Sequence, residues 1–363
     1  MKKLFFIAAI ASAALVSCIK NELAPSVTEQ HEIAFAAPVV GLHTKAAEIE
    51  GTTYPNTVNF NVWAWYHENV FNGTGNVYMN EVTVKYSAEN PDAGDSGVNT
   101  WRPEKAYYWP KNGKLTFEAY SPSDLETKVL GCSVTSTVDG GLVVANYDVP
   151  ADAANQIDLL YSDRNYNRVA SSTNKDGGYD GVDIAFNHAL AVVKVFVKAE
   201  NDAAIKDVRV KDVHIINAYH KGTLTVSPDY LTATNSPLWN PIDDRTTYDV
   251  VSATDYTTSI TLTSTSVYQQ LGVNHILLPQ VFTTSGTKIK IDYYINNGGE
   301  FPIEQTYTFD LASTDHKDGA SNLITSWEMG KRYTYNITIG VDDIYFAPSV
   351  KDWEDVTITV PEI

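Results

Sequence analysis

The sequence predicts an all-β protein built from β-sandwiches, and three observations carry that prediction. Apolar residues alternate with period 2 in several short runs. Turn-forming clusters such as ENPDAGDSG, VDGG, NKDGGYDG, VSPD and INNGGE separate these runs. No window of ordinary helix length carries a 3.6-residue apolar stripe, and only short pieces such as PADAANQ (150–156) suit a helix. The 22 Tyr residues and the abundant Thr and Val favour strands as well.

Residues 1–18 are an export signal. Lys2 and Lys3 give a positive start, and Leu4 to Val16 form an apolar stretch too short to span a bilayer. It ends in Leu15-Val16-Ser17-Cys18, a bacterial lipobox, so Cys18 is the expected lipidation site and first mature residue. Two or three acyl chains anchor a protein stably where one does not. Residues 19–31 are polar and form a tether. Residues 32–40 follow as a strand, with Ile33, Phe35 and Ala37 alternating before a bend at Pro38 and a basic site at Thr44-Lys45-Ala46.

Further strands are expected in TVNFNVWAWY (Val58, Phe60, Val62 and Ala64 on one face), KLTFEAY and YTYNITIGV. The last is VTITV, with Val356, Ile358 and Val360 on one face. The long apolar run VDIAFNHALAVVKVFVKAEN, entered from a Gly- and Asp-rich loop, sets a domain junction near residue 185. The two sandwiches are therefore residues 32–185 and 186–363, abutting without a Pro- or Ser-rich linker.

The formal charge is −18, and −20 without Lys2 and Lys3, which argues against nucleic acid or anionic lipid as a partner. With Cys18 lipidated, Cys132 has no disulfide partner and reads as a buried hydrophobe. GDSG at 94–97 has the letters of a serine-nucleophile loop but sits among turn formers without a His signature. Residues 172–183 partly match a calcium loop, with Ser172 at the first ligand position and Asp183 in place of a bidentate Glu. The eight His show no zinc pattern, and His188 and His275 are expected as satisfied core residues. There is no phosphate-binding glycine loop. No catalytic residue, metal or cofactor is expected. Trp63, Trp65, Tyr66 and Trp239 leave one alternative open, a surface lipoprotein that stacks glycans on exposed rings.

Five segments together resemble the fimbrillin family, the type V pilins and pilin-like lipoproteins of Bacteroidales. They are YYWPKNGKLTFEAYSP (107–122), DLLYS (158–162), FNHALAVVKVFV (186–197), HILLPQ (275–280) and the closing GKRYTYNITIG…IYFAPSVKDWEDVTITV. The resemblance implies two tandem transthyretin-like Greek-key sandwiches, export to the outer membrane as a lipoprotein, and assembly with other pilin subunits into surface fimbriae that meet a host or bacterial ligand. It also implies that a trypsin-like protease removes the first strand and that another subunit's strand replaces it. Lys45 then stands at the cleavage position, where Arg is usual. Ile33, Phe35 and Ala37 belong to the removable strand. Val356, Ile358 and Val360 are the donor residues, unless the tail is simply the last strand of its own domain.

Overall fold

The computed structural model describes residues 32–40, 54–87, 101–170, 181–200, 207–232, 234–262, 266–296, 298, 300–340 and 344–352. It is nearly all β, as the alternation predicts. PADAANQ contributes a single 3₁₀ turn, Ala153–Asn155, capped by the Asp152 carboxylate accepting from Ala154 N–H. Two four-residue helical turns, Leu125–Lys128 and Phe282–Ser285, complete the helical content of the described residues.

The first sheet runs in the order Val39–Val40, Ala185–His188, Leu160–Ser162, Lys114–Ser121, Phe60–His67, Asn76–Tyr86, Trp101–Pro103. Its two ends meet at Phe35, which bridges Trp101 antiparallel on one side and Val182 parallel on the other. Residues 32–40 thereby close the sheet on itself around an apolar centre of Phe35, Phe60, Val62, Phe117, Trp101 and Phe186.

A second sheet joins the two halves of the chain. Gly141–Asp148 pairs antiparallel with Lys221–Asp229, with Ser133–Thr137 and Thr234–Pro241 outside them. Pro237 and Pro241 lie on an outermost strand of that sheet, where a missing N–H costs no ladder bond. Hydrogen-bonded pairing thus crosses residue 185. The third sheet sets Ala191–Ala199 parallel to Lys331–Ile339 at its centre, flanked by Gln269–Leu277 and Ile344–Asp352. The fourth holds Arg245–Ser252, Asp207–Tyr219, Lys288–Asn296 and Ile303–Asp310. Tyr333, Tyr335, Ile337 and Ile339 are buried on one face as the alternation requires.

Phe60–His67 is covered on both faces. Phe60, Val62 and Ala64 point into the closed first sheet, while Trp63 and Trp65 belong to the larger core shared with the second, third and fourth sheets. Trp63 lies against Tyr120 at 5.6 Å, and the Arg164 guanidinium sits 4.5 Å from the Trp65 ring centre. Arg164 Nη2 in turn donates to Glu118 Oε2 at 3.0 Å, with both side chains wholly buried.

Cys132 is buried as expected, and burial pushes its thiol up to about 11. His188 is satisfied through Nδ1 and Asp158 Oδ1 at 2.9 Å. His275 departs from expectation: it is buried, but neither ring nitrogen reaches a well-formed hydrogen bond. Burial holds both His275 and His316 down to about 4. Their unfolded value is near 6.5, so between pH 6.5 and 4 the unfolded chain takes up protons that the folded chain refuses. Their contribution is complete above pH 6.5 and falls with pH, by at most about 1.4 kcal/mol per pH unit for each. Melting temperature measured from pH 7 to 4.5 is expected to fall less steeply in His275→Phe than in the parent.

Candidate functional site

The site is the seat of residues 32–40. Alternation makes this stretch a strand, and its two flanks supply partners from far along the chain. Ile33 N–H donates to Tyr107 O at 2.7 Å and Phe35 N–H to Trp101 O at 2.9 Å. On the other side Ala36 N–H donates to Val182 O and Val39 N–H to Ile184 O, both at 3.0 Å, and Val182 N–H donates to Ala34 O at 2.8 Å. Pro38 occupies a position with no donor role, and its carbonyl accepts from Tyr54 N–H.

Ile33 and Phe35 are fully buried. The Phe35 ring meets Phe60 at 5.7 Å and Phe117 at 5.8 Å, both edge-on. Tyr54 lines the adjoining wall, stacked on Phe186 at 5.3 Å, with its hydroxyl 2.6 Å from Ser121 Oγ. Ala37 is exposed, in contrast to the simple alternation. Pro38 shifts the phase, so Val40 is the next apolar residue to enter the core. Burial of Ile33, Phe35 and Val40 contributes on the order of 5–9 kcal/mol before ordering costs. At the rim, Arg102 Nη1 donates to Glu32 Oε2 at 3.0 Å.

Trp101, Tyr107, Val182 and Ile184 form the walls and were not singled out by the sequence, because their role depends on a partner some 70 to 150 positions away. Cys18, Lys45, Val356, Ile358 and Val360 lie outside the described residues, as do GDSG and most of 172–183. Trp63, Trp65 and Trp239 are core residues, the last donating its indole N–H to Ala189 O at 2.6 Å. None of the three presents a ring to a glycan. Tyr66 is half-buried.

Asp212, His214 and Asp292 bring potential ligand atoms within 4.8 Å of one another. Asp292 is already engaged there by Lys290 Nζ and the Thr306 hydroxyl, and His214 by Asp249. The group is an ion network on the outer face of the fourth sheet.

The profile of the fimbrillin-like family matches residues 44–353. The chain belongs to that family. Among solved structures, this fimbrillin-like protein is similar to a fimbrial protein of Bacteroides vulgatus, with 15% identity and a TM-score of 0.57 over 88% of this chain and 99% of the other. A Bacteroides uniformis protein assigned to cell adhesion matches at 15% identity and a TM-score of 0.50, covering 91% and 100%. No curated protein matches this chain in sequence. These likenesses establish the fold, and family membership supports a fimbrial or adhesive role at the cell surface with pilin subunits as partners. The residues flanking the matched region on its two sides, 32–40 and 354–363, are the two strands that the sequence singles out.

Proposed function

We propose that this fimbrillin-like protein is a structural subunit or tip adhesin of surface fimbriae. In this reading it is exported as a lipoprotein through Cys18 and assembled by release of its first strand and entry of a strand from another subunit. The observation that carries the reading is the seating of residues 32–40. They complete the first sheet with main-chain bonds on both flanks and fill its centre with Ile33 and Phe35. A cut after Lys45 leaves that segment held by non-covalent contacts alone. Its loss opens two rows of unpaired N–H and C=O groups above an apolar trough, which an incoming strand satisfies. Until the cut, the segment blocks premature polymerisation.

Mass spectrometry of the mature N-terminus in surface polymers tests the release. A start at Ala46 is expected, and a polymer whose chains still begin at acylated Cys18 would overturn it. Deletion of residues 354–363 tests the donor. The truncated protein is expected to be exported and folded yet absent from polymers, whereas failure to fold would make the tail an intrinsic strand.

A further inference from the structure

An outermost strand carries unpaired N–H and C=O groups that invite another chain, and most such strands in this fold are guarded. The first sheet closes on itself at Phe35. In the second, Thr234–Pro241 carries Pro237 and Pro241, and on Ser133–Thr137 the Val134 N–H donates to Glu126 Oε1 at 2.6 Å. In the third, Ile344–Asp352 contains Pro348. On its other edge Gln269–Leu277 shifts register and gives the Ile276 N–H to Gln156 Oε1 at 2.6 Å. In the fourth, Arg245–Ser252 pairs through two register shifts. Ile303–Asp310, at the opposite edge of that sheet, has none of these guards.

This strand runs for 8 residues in unbroken register against Lys288–Asn296, with no proline, lysine or arginine. Leu311 N–H donates to Thr287 O, which continues the ladder and fixes its phase. The odd-numbered residues from 303 to 309 therefore turn their main-chain groups into the sheet, and Glu304, Thr306 and Thr308 turn theirs to the open side. No N–H or C=O of these three meets a partner among the described residues. Their side chains are exposed on the outer face. On the other face Ile303 is 49% exposed, and Phe301, just before the strand, 76%.

We propose that a second copy of this chain pairs with this edge, Ile303–Asp310 against Ile303–Asp310, antiparallel about a two-fold axis at Thr306. Such an interface is self-complementary, as two-fold association requires. An antiparallel ladder forms only where outward groups face outward groups. Setting Thr306 opposite Thr306 and Glu304 opposite Thr308 uses all of them, with two bonds at the axis and two at each flanking pair. Sliding by two residues one way sets Glu304 opposite Asp310 of the other copy, so like charges face each other. Asp310 O is also already held by Ser313 N–H. Sliding the other way sets Thr308 opposite Pro302, which has no N–H to give.

Side chains favour the same register. Lys290 lies next to Thr308 in one cross-strand row. Glu304 of the other copy joins that row two strand spacings from Lys290, about 9.5 Å between backbones, with only a threonine between them. On the other face Ile303 comes to lie opposite Phe309, an apolar cross-strand pair. One edge of this length is less than a permanent dimer needs, so the pair is weak and concentration-dependent. It requires neither cleavage nor loss of residues 32–40 and stands apart from strand release. Repeated along two fibres of such subunits, it joins them side by side.

Uncut protein separates this contact from strand exchange. In a Lys45→Ala background under mild oxidation, Thr306→Cys is expected to give a disulfide-linked dimer. Residues opposed in a bonded pair stand about 5.5 Å apart at Cα, within disulfide reach. Glu304→Cys and Thr308→Cys are also exposed but set their two thiols about 14 Å apart, and should each give at most about a tenth of that yield. Cys132 is buried and does not compete. In analytical ultracentrifugation the Lys45→Ala protein should form a dimer as concentration rises. Thr306→Pro removes an N–H that is unpaired in the monomer and should weaken the dimer by about tenfold or more. Cross-linking that is equal at the three positions, or best at 304 or 308, overturns the register. A Thr306→Pro variant that associates like its parent overturns the edge as the contact. A parent that stays monomeric at every concentration overturns the second copy as its occupant.

Discussion

Phe35→Ala is expected to destabilise the uncut protein by about 3–5 kcal/mol, read as a lowered urea midpoint with unchanged slope. The Phe35 ring is fully buried, touches Phe60 and Phe117 edge-on, and sits where the two ends of the first sheet meet. Truncation leaves a cavity walled by rings on separate strands, which relax only partially. The same change is expected to weaken retention of the segment once the chain is cut. At tenfold per 1.4 kcal/mol, the loss corresponds to about a hundredfold or more. Release of the cleaved segment, followed by size-exclusion chromatography or native mass spectrometry, should therefore be much faster than in the parent. Ala37→Ser, at an exposed position of the same segment, is the control and should change neither quantity by more than about 0.5 kcal/mol. Equal effects at both positions would show that the segment is not held by its buried face.

Arg164→Met is expected to cost a further class of stability, again about 3–5 kcal/mol, for an electrostatic reason. Glu118 is fully buried on Lys114–Ser121, and burial raises its pKa while Arg164 opposes that shift. Ser136 also donates to the carboxylate, and Arg164 donates to the Val138 and Thr137 carbonyls as well. Removing the guanidinium strands a carboxylate in an apolar setting. Protonation relieves it. A folded-state pKa above the unfolded one means that the folded chain binds the extra proton, so the deficit should shrink as pH falls from 8 to 5. The double variant Glu118→Leu with Arg164→Met should recover most of the loss, since an apolar pair of similar volume requires no desolvation of charge. Urea midpoints of the three variants at pH 8 and pH 5 check both statements.

Much of the fold was legible, and the misses share one cause. Ile33 and Phe35 were placed on the buried face because their alternation is local. Ala37 was placed there too, and the phase shift at Pro38 turned it out and brought Val40 in. For Trp63 and Trp65, which lie off the Val58–Ala64 face, the sequence left two readings, packing in a core or domain interface and exposed rings. The strand has no wet face, since a second core lies against them. Glu118 sits in an alternating strand where a carboxylate ordinarily faces water, and only Arg164, 46 positions later, explains its burial. His275 and His188 looked alike in sequence, yet of the two only the His188 ring is hydrogen-bonded to a carboxylate, that of Asp158.

The candidate site divides in the same way. The sequence by itself determined that residues 32–40 form a strand, because side-chain period and proline's missing N–H are properties of a short stretch of chain. The tertiary structure alone decided which walls receive that strand and which of its N–H groups are used. Those depend on Trp101, Tyr107, Val182 and Ile184, brought together by sheet closure between positions that no local pattern relates.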